Sequence, residues 1–364
     1  MRAPSALLVL TFAGIVARGS AASAAETTRV LRAEIPATAG AAFAVENLAG
    51  RMTVRVGSGD RVVVVATVHA ESGDLASRFR LDTLNEGGMP TVRVRYPDGE
   101  DDVRYRAPSR EEHHALALDF FSHSESRVRY DGRVFYVSSG RGRAMHVDLA
   151  VELPAGESAG TFRVAVGLLD ASDVSGRLSF ETRSADLDLH RLRGAVRVHS
   201  SSGDTRAEEI HGDWSSEVSS GDISLEGLTA GAADFRSGSG DVRASGLEAA
   251  RLSLETGSGD YRISDTDVGE LTARTGSGDI VIEARGARLA SFRAHSGSGD
   301  IVLRLPREAS FDAHARLSSG DMRVHFSDGT ATRRHDEMVA YRRGDGATKI
   351  DVDAGSGDFT IEPR

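Results

Sequence analysis

The sequence predicts an all-β protein: a parallel β-solenoid with coils of 18 to 21 residues, preceded by a smaller β-rich N-terminal region. Three observations favour this fold: a recurring Ser-Gly-Asp turn, alternating apolar residues on both sides of it, and a spacing that stays near 19 residues. Alternation with a period of two is typical of a strand with one buried face. Because a single repeat cannot bury that face alone, equivalent repeats must stack as neighbouring strands.

The turn is a tetrad, Ser-Ser-Gly-Asp or Gly-Ser-Gly-Asp, and the series begins with a degenerate copy, Arg-Ser-Ala-Asp, at residues 183–186. A further Gly-Ser-Gly-Asp at residues 57–60 lies outside this series. Successive copies are 18, 18, 19, 19, 19, 21, 21 and 37 residues apart, and the last step is close to two repeats with an insertion between them. The predicted repeat-turn aspartates are Asp186, Asp204, Asp222, Asp241, Asp260, Asp279, Asp300, Asp321 and Asp358.

Apolar residues lie one and three positions after each aspartate, as in Ile223 and Leu225, and again eight and six positions before it. Each coil is therefore expected to contain two strands of about five or six residues and two turns. The pattern extends back to a first coil near Thr161, with Leu169 and Ala171 directed inward. A β-propeller is the alternative fold, but its blades would make alternate repeats unlike, whereas consecutive repeats here are equivalent.

The first 25 residues have the pattern of a secretory signal peptide: Arg2, an apolar run over residues 6–17, and small residues before Glu26. The run is shorter than the roughly 20 residues that a membrane span needs, although an uncleaved membrane anchor is the alternative. No later stretch has transmembrane length, so we expect no transmembrane segment after cleavage. These features predict an exported protein, located in the periplasm or at the cell surface.

The charge and the cysteine count narrow the class of partner. Removing residues 1–25, whose only charged residues are Arg2 and Arg18, changes the net charge from −10 to −12. An acidic surface disfavours nucleic acid and anionic lipid as main partners. The chain has no cysteine, which excludes disulfides and thiolate metal sites.

We expect the chain to divide into four segments. Residues 1–25 are the signal peptide, 26–97 form the β-rich N-terminal region, and 98–133 are a charged insertion, either an exposed hairpin or disordered. Residues 134–364 form the solenoid repeat domain, with a second insertion at 331–346.

The chemistry of the turn has a structural interpretation. Glycine supplies the backbone angles of a tight turn, and aspartate accepts hydrogen bonds from nearby backbone N–H groups. Calcium binding by the aspartate row is the alternative, although the calcium-binding Gly-rich repeat has half this period. Stacked carboxylates 5 Å apart repel by about 0.8 kcal/mol per pair in water. We therefore hypothesise that a row of arginines two residues further on screens the aspartates; its members are Arg206, Arg243, Arg262 and Arg323.

Three histidines of the first insertion, His113, His114 and His123, could ligate a metal ion. Adjacent residues point to opposite faces of a strand, so this set favours a polar insertion over a metal site. We predict no metal site and no cofactor.

Four carboxylates, Asp170, Asp173, Glu208 and Glu209, could supply an acid pair for glycoside cleavage. Acidic residues are common in this chain, so such a pair has little weight. Trp214 occupies an inward position and is expected in the core rather than on a sugar-binding surface. No catalytic residue is predicted.

These features together resemble a bacterial family of putative adhesins, a domain of unknown function with β-strand repeats that is related to the head domains of putative autotransporter adhesins. The resemblance rests on VENLAGRM at residues 45–52, VELP at 151–154, KIDVDAGSGDFTI at 349–361 and the series of Ser-Gly-Asp turns. It implies an exported β-solenoid without known enzymatic activity.

Three functions remain open at this point. The first is a non-enzymatic protein of the cell envelope with an adhesin-like or structural role, whose partner is a cell-wall or surface polymer or another envelope protein. The second is a polysaccharide-acting enzyme on a β-helix scaffold, which would need converging acids and bases in one coil. The third is a regulatory component of the envelope stress response. The uniform coils over residues 196–325 favour the first.

Overall fold

The computed structural model describes residues 26–36, 40–105, 125–335 and 337–364. The predicted signal peptide and the three insertion histidines, His113, His114 and His123, lie outside these residues. The chain divides into two compact units, residues 1–188 and 189–364. No helix in the described ranges is long and apolar enough to cross a membrane.

The described part of the first unit contains one short helix, α1 (Gly73–Ser77), and many strands. The strands are β1 (Thr27–Pro36), β2 (Ala42–Val56), β3 (Arg61–Ala70), β4 (Arg80–Glu86), β5 (Met89–Arg95), β6 (Asp102–Arg104), β7 (Ser126–Tyr130), β8 (Arg133–Ser138), β9 (Arg143–Leu153), β10 (Glu157–Ser172) and β11 (Ser175–His190). β3 is antiparallel to both β1 and β9, whereas β2 is parallel to β5, β9 and β10. Parallel stacking therefore involves β2 and β10, where Leu169 and Ala171 are buried.

Two buried polar residues of β2, Glu46 and Asn47, hold the strands of the first unit together. The Asn47 side chain, 1% exposed, donates to the carbonyl oxygen of Val147 at 2.6 Å. The Glu46 carboxylate, in a residue 7% exposed, pairs with Arg93 at 2.5 Å and Arg163 at 2.7 Å. A buried carboxylate needs such partners to offset the loss of hydration. The VENLAG sequence therefore has a structural role in this unit.

The second unit is a stack of parallel coils. Its strands are β12 (Arg193–Ser200), β13 (Thr205–His211), β14 (Trp214–Val218), β15 (Ile223–Ser237), β16 (Val242–Ser258), β17 (Tyr261–Ser277), β18 (Ile280–Ala284), β19 (Ser291–Ser298), β20 (Ile301–Leu305), β21 (Phe311–Ser319), β22 (Met322–Val324), β23 (Thr330–Arg334), β24 (Glu337–Arg343), β25 (Thr348–Ser356) and β26 (Phe359–Pro363). Ile223 pairs with Val242, Val242 with Tyr261, and Tyr261 with Ile280, all in parallel register. All four are 0% exposed, so the predicted parallel β-solenoid is confirmed.

The central coils contain more strand than the sequence pattern indicated. β16 runs for 17 residues, and the expected second turn is absent from it, because a single residue makes the corner. That residue lies five positions after the aspartate and has a positive φ, as in Gly246 at +66°. The same corner position holds Arg191, Glu209, Gly227 and Asp265 in other coils. One left-handed residue bends the strand while pairing continues on both sides.

The glycine before each aspartate is required by the close approach of neighbouring coils. A Cβ atom added to Gly259 would lie 2.3 Å from the carbonyl oxygen of Gly240. One added to Gly240 would lie 1.9 Å from the carbonyl oxygen of Gly221. Such distances are far inside van der Waals contact, so any side chain here would force the coils apart.

The C-terminal coil, residues 348–363, does not lie at the end of the stack. β25 pairs with β19 on one side and with β21 on the other. β26 likewise lies between β20 and β22. The coil of Asp358 is therefore inserted between those of Asp300 and Asp321, so the order of the coils in the stack differs here from their linear order along the chain.

The insertion expected at residues 331–346 contributes a hairpin beside the Asp321 coil. β23 and β24 are antiparallel to each other, and β24 is also antiparallel to β21. Tyr341 of β24 is 6% exposed, and its ring stacks on Phe311 with 5.9 Å between centroids. The hairpin covers the backbone edge that β21 would otherwise leave unpaired.

Charge complementarity favours the inserted position of the C-terminal coil. Asp353 lies 3.9 Å from His295 on one side and 3.3 Å from Arg316 on the other. Lys349 lies 3.1 Å from Asp312. In the linear order, His295 and Arg316 would be cross-strand neighbours without a carboxylate between them. Opposite charges on adjacent strands stabilise a sheet, and like charges destabilise it.

Substituting two glycines of one coil separates the cost of a left-handed backbone from the cost of a clash between neighbouring coils. For Gly246→Ala we expect a loss of about 1–2 kcal/mol in the free energy of unfolding, because only the left-handed backbone is penalised; the nearest atom to the added Cβ is 3.6 Å away. Gly259→Ala should cost more, since its Cβ meets the Gly240 carbonyl. Urea unfolding followed by circular dichroism measures both, and equal losses would contradict the interlayer contact.

Reversing the charge of Asp353 tests whether charge complementarity favours the inserted position of the C-terminal coil. For Asp353→Arg we expect a loss of about 1 kcal/mol in the free energy of unfolding, because the new guanidinium lies beside Arg316 and the attraction of the carboxylate is lost. The loss should shrink at high salt, since the groups are exposed and salt screens them. Asp353→Asn, which removes the attraction without adding repulsion, is the matched control and should lose less. Unfolding midpoints at low and high salt give the comparison; indistinguishable variants would argue against the electrostatic explanation.

Candidate functional site

The eight regular tetrads align along one edge of the second unit, which we call the turn edge. It consists of the Ser, Gly and Asp of each tetrad: residues 202–204, 220–222, 239–241, 258–260, 277–279, 298–300, 319–321 and 356–358. All eight serines are exposed, and the aspartates are exposed or half-buried. Asp186, the degenerate copy, is half-buried in β11 of the first unit.

The aspartates of the turn edge form a hydrogen-bonded ladder. The backbone N–H of Asp241 donates to Oδ1 of Asp222 at 2.9 Å, and that of Asp260 donates to Oδ1 of Asp241 at 2.9 Å. Seven such bonds, between 2.8 and 3.0 Å, join the aspartates in the order of the stack. One oxygen of each accepting carboxylate is therefore engaged within the protein.

Arginines lie beside this ladder at the positions that the charge argument proposed. Arg243 contacts Asp241 at 2.8 Å and Asp222 at 3.4 Å, so one guanidinium bridges two coils. Arg323 likewise contacts both Asp321 and Asp358. Arg262 contacts Asp260 at 3.0 Å, and Arg206 contacts Glu208 at 2.6 Å. All are partly exposed pairs, which individually contribute little to stability.

Backbone donation has an electrostatic consequence at Asp358. The N–H of Asp321 and the guanidinium of Arg323 hold the pKa of the Asp358 carboxyl below its usual value. Because this pKa is lower in the folded than in the unfolded protein, the ionised carboxylate stabilises the fold at pH values above the unfolded-state pKa. The contribution is lost as the pH falls through the folded-state pKa.

The ladder is poorly suited to calcium. Calcium takes six to eight oxygen ligands, which must converge on one point. Here one oxygen of each accepting aspartate already binds a backbone N–H, and Arg243, Arg262 and Arg323 approach the other oxygen in several coils. Within the described residues, the aspartate row does not form a cluster with metal-ligand geometry.

The carboxylates considered for glycoside cleavage have other surroundings. Asp170 of the first unit pairs with Arg51 at 3.1 Å and Arg55 at 2.7 Å. In the second unit, Glu208 binds the neighbouring arginine of the row and lies 3.4 Å from His190. The two remaining carboxylates have positive φ and are exposed; they are Asp173 and Glu209.

Trp214 belongs to the core. It is 1% exposed, and its indole N–H donates to the hydroxyl of Ser216 at 3.1 Å. Its ring lies 6.1 Å from that of Phe235 in the next coil. A buried indole with its donor satisfied is a packing element, not a surface on which a sugar could stack.

The serine row was missed by reasoning from the sequence, although its signal is visible there. A serine precedes each aspartate by two positions in all eight regular tetrads. The side chains are exposed, and two of them also bond to the neighbouring coil: the Ser220 hydroxyl donates to the carbonyl of Ser201 at 3.2 Å, and the Ser319 hydroxyl donates to the carbonyl of Gly355 at 3.5 Å. The turn edge thus presents parallel columns of hydroxyls and carboxylates, separated by the spacing of adjacent strands, about 4.8 Å.

Comparisons with known proteins place this geometry among β-repeat domains. A family model described as Toastrack DUF4097 matches residues 169–362, more than half of the 364 residues. A putative cell adhesion protein from Clostridium sporogenes ATCC 15579 aligns with 92% of this chain and 100% of its own, at 8% identity and a TM-score of 0.23.

Two further solved structures align at similar coverage. A putative adhesin from Parabacteroides distasonis ATCC 8503 covers 91% of this chain and 96% of its own, at 9% identity and a TM-score of 0.42. A putative adhesin from Bacteroides fragilis NCTC 9343 covers 91% and 96%, at 11% identity and a TM-score of 0.35. No curated protein matches the chain.

Two substitutions of Asp241 distinguish the hydrogen bond of the ladder from its charge. Asp241→Asn keeps an oxygen that can accept from the Asp260 N–H, whereas Asp241→Ala removes it. We expect Asp241→Ala to cost about 1–2 kcal/mol in the free energy of unfolding and Asp241→Asn to cost less. Hydrogen exchange at the Asp260 amide should accelerate only in the alanine variant. Asp234→Ala, at a carboxylate 3.9 Å from Arg236, is the surface control and should be nearly neutral. Equal effects of both Asp241 variants would contradict the ladder.

Proposed function

This chain belongs to the Toastrack DUF4097 family, and we propose that it is an exported, non-enzymatic β-solenoid of the cell envelope with an adhesin-like binding role. Its proposed partner is a hydroxyl-rich polymer of the cell wall or cell surface. The predicted signal peptide over residues 1–25 supports export to the periplasm or cell surface.

The single observation that carries the proposal is the turn edge. Its exposed serine hydroxyls can both donate and accept hydrogen bonds. A polymer with regularly spaced hydroxyls can make the same contacts in successive coils. Many weak contacts on one rigid element add up without any one of them being strong.

The surroundings of the turn edge support recognition rather than turnover. In the described second unit, the tetrads repeat with the same hydrogen bonds from coil to coil. Catalysis would need one coil to differ, with an acid and a base converging on a reacting atom. The acidic net charge disfavours polyanions, so a neutral or cationic glycan fits the surface better.

The test compares matched sets of serines. We expect Ser239→Ala, Ser258→Ala and Ser277→Ala together to weaken binding to insoluble cell-wall polysaccharide by about tenfold or more, because three hydrogen bonds of about 0.5–1.5 kcal/mol are lost. Cosedimentation of the purified protein with peptidoglycan and with defined glycans measures the affinity.

The control triple, Ser224→Ala, Ser245→Ala and Ser264→Ala, changes serines on the outward face of the same coils and should bind normally. Equal weakening in both triples, or the lack of binding to every polymer, would overturn the proposal. Release of new sugar ends during the incubation would favour the enzymatic alternative instead.

A further inference from the structure

A second polar cluster lies in the first unit, on one face of the antiparallel strands β1, β3 and β9. His69 of β3 is directly opposite His146 of β9. Asp148 follows on the same face of β9, because alternate residues of a strand share a face. Glu26 immediately precedes β1, and Thr28 of β1 is the partner of His69, so Glu26 projects toward the same place.

The side chains of this cluster contact one another closely. The imidazole rings of His69 and His146 are stacked, with centroids 4.5 Å apart and planes within 3° of parallel. Nδ1 of His69 lies 3.6 Å from Oε1 of Glu26, and Nε2 lies 3.4 Å from Oδ2 of Asp148. One ligand atom from each of Glu26, His69 and His146 lies within 4.8 Å of the other two.

The surroundings of His69 assign different roles to its two nitrogens. Asp148 is fixed in place, because its Oδ1 accepts the backbone N–H of Arg51 at 2.8 Å. Its Oδ2 can then accept Nε2–H of His69, which leaves Nδ1 with a lone pair in the neutral ring. In the neutral ring that lone pair faces the Glu26 carboxylate, so a cation there, either the proton of the charged ring or a metal ion, offsets the carboxylate charge.

One of the distances is close to that at a bound transition metal, and the stacked His146 ring would have to rotate for its nitrogen to share the ion. Metal–nitrogen and metal–oxygen bonds of about 2.0–2.2 Å at a tetrahedral centre place the two ligand atoms about 3.3–3.5 Å apart. The observed separation of 3.6 Å between Nδ1 of His69 and Oε1 of Glu26 is close to this. A histidine ligand whose other nitrogen donates to a carboxylate is the usual arrangement around zinc.

We propose that Glu26, His69 and His146 bind a zinc ion, with Asp148 orienting His69. Two imidazoles and one carboxylate suit zinc, and without any thiolate in the chain they leave a fourth position for water. Because Glu26 precedes β1 while the histidines lie on β3 and β9, zinc would fasten the beginning of β1 to the sheet.

Zinc titration of the purified protein, stripped of metal with a chelator, provides the test. Calorimetry with zinc chloride alone should show one site per chain, with a dissociation constant of about 1 μM or below. His69→Asn and His146→Asn should each weaken binding at least 100-fold. Asp148→Asn should weaken it by about 10–100-fold, the usual effect of losing a residue that orients a ligand.

Two further variants keep the test decisive if a histidine substitution disturbs folding. Glu26→Gln changes an exposed residue outside the core and should still abolish the visible spectrum of tetrahedral cobalt bound in place of zinc. His295→Asn removes an exposed histidine that lies 3.9 Å from Asp353, and it should bind zinc normally. The proposal is overturned if Glu26→Gln and His146→Asn bind zinc as tightly as the unchanged protein. It is also overturned if the unchanged protein binds no zinc at a zinc concentration 100-fold above the expected dissociation constant.

Discussion

Backbone contact between successive coils is the constraint on which the second unit depends. Each parallel coil must approach the next to hydrogen-bonding distance along nearly its whole length, including the corners and the tetrads. Gly240 and Gly259 follow from this, because a Cβ atom at either position would collide with the carbonyl of the coil beside it. The aspartates have the same cause. The chain changes direction at the tetrad, and this leaves one backbone N–H without a backbone acceptor. The aspartate carboxylate of the neighbouring coil accepts that N–H instead.

The same constraint determines the chemistry that the turn edge can display. Glycine fills the position that touches the neighbouring coil, and aspartate is committed through one oxygen. The serine side chains are exposed, although Ser220 and Ser319 also donate to carbonyls of the neighbouring coil. The turn edge therefore displays accessible hydroxyls, whereas the uniformity of Ile223 and its buried neighbours reflects the core.

Much of this architecture could be predicted from the sequence, because strand alternation and tetrad spacing are local signals. Val242 and Ile280 were assigned to the core correctly, and both are fully buried. The corners could not be predicted, since the left-handed corner position holds a different type of residue from coil to coil, as in Arg191, Glu209 and Asp265. The His69–His146 pair was also missed, because the antiparallel register that brings residues 77 positions apart face to face is not encoded in either segment alone.

The inserted position of the C-terminal coil has a consequence for biosynthesis. A ribosome delivers the Asp321 coil and its hairpin before residues 348–363, so the nascent stack lacks one internal layer until those residues follow. Truncated products lacking the last layer would expose the unsatisfied strand edges of both β19 and β21, and quality-control proteases could recognise them by this defect.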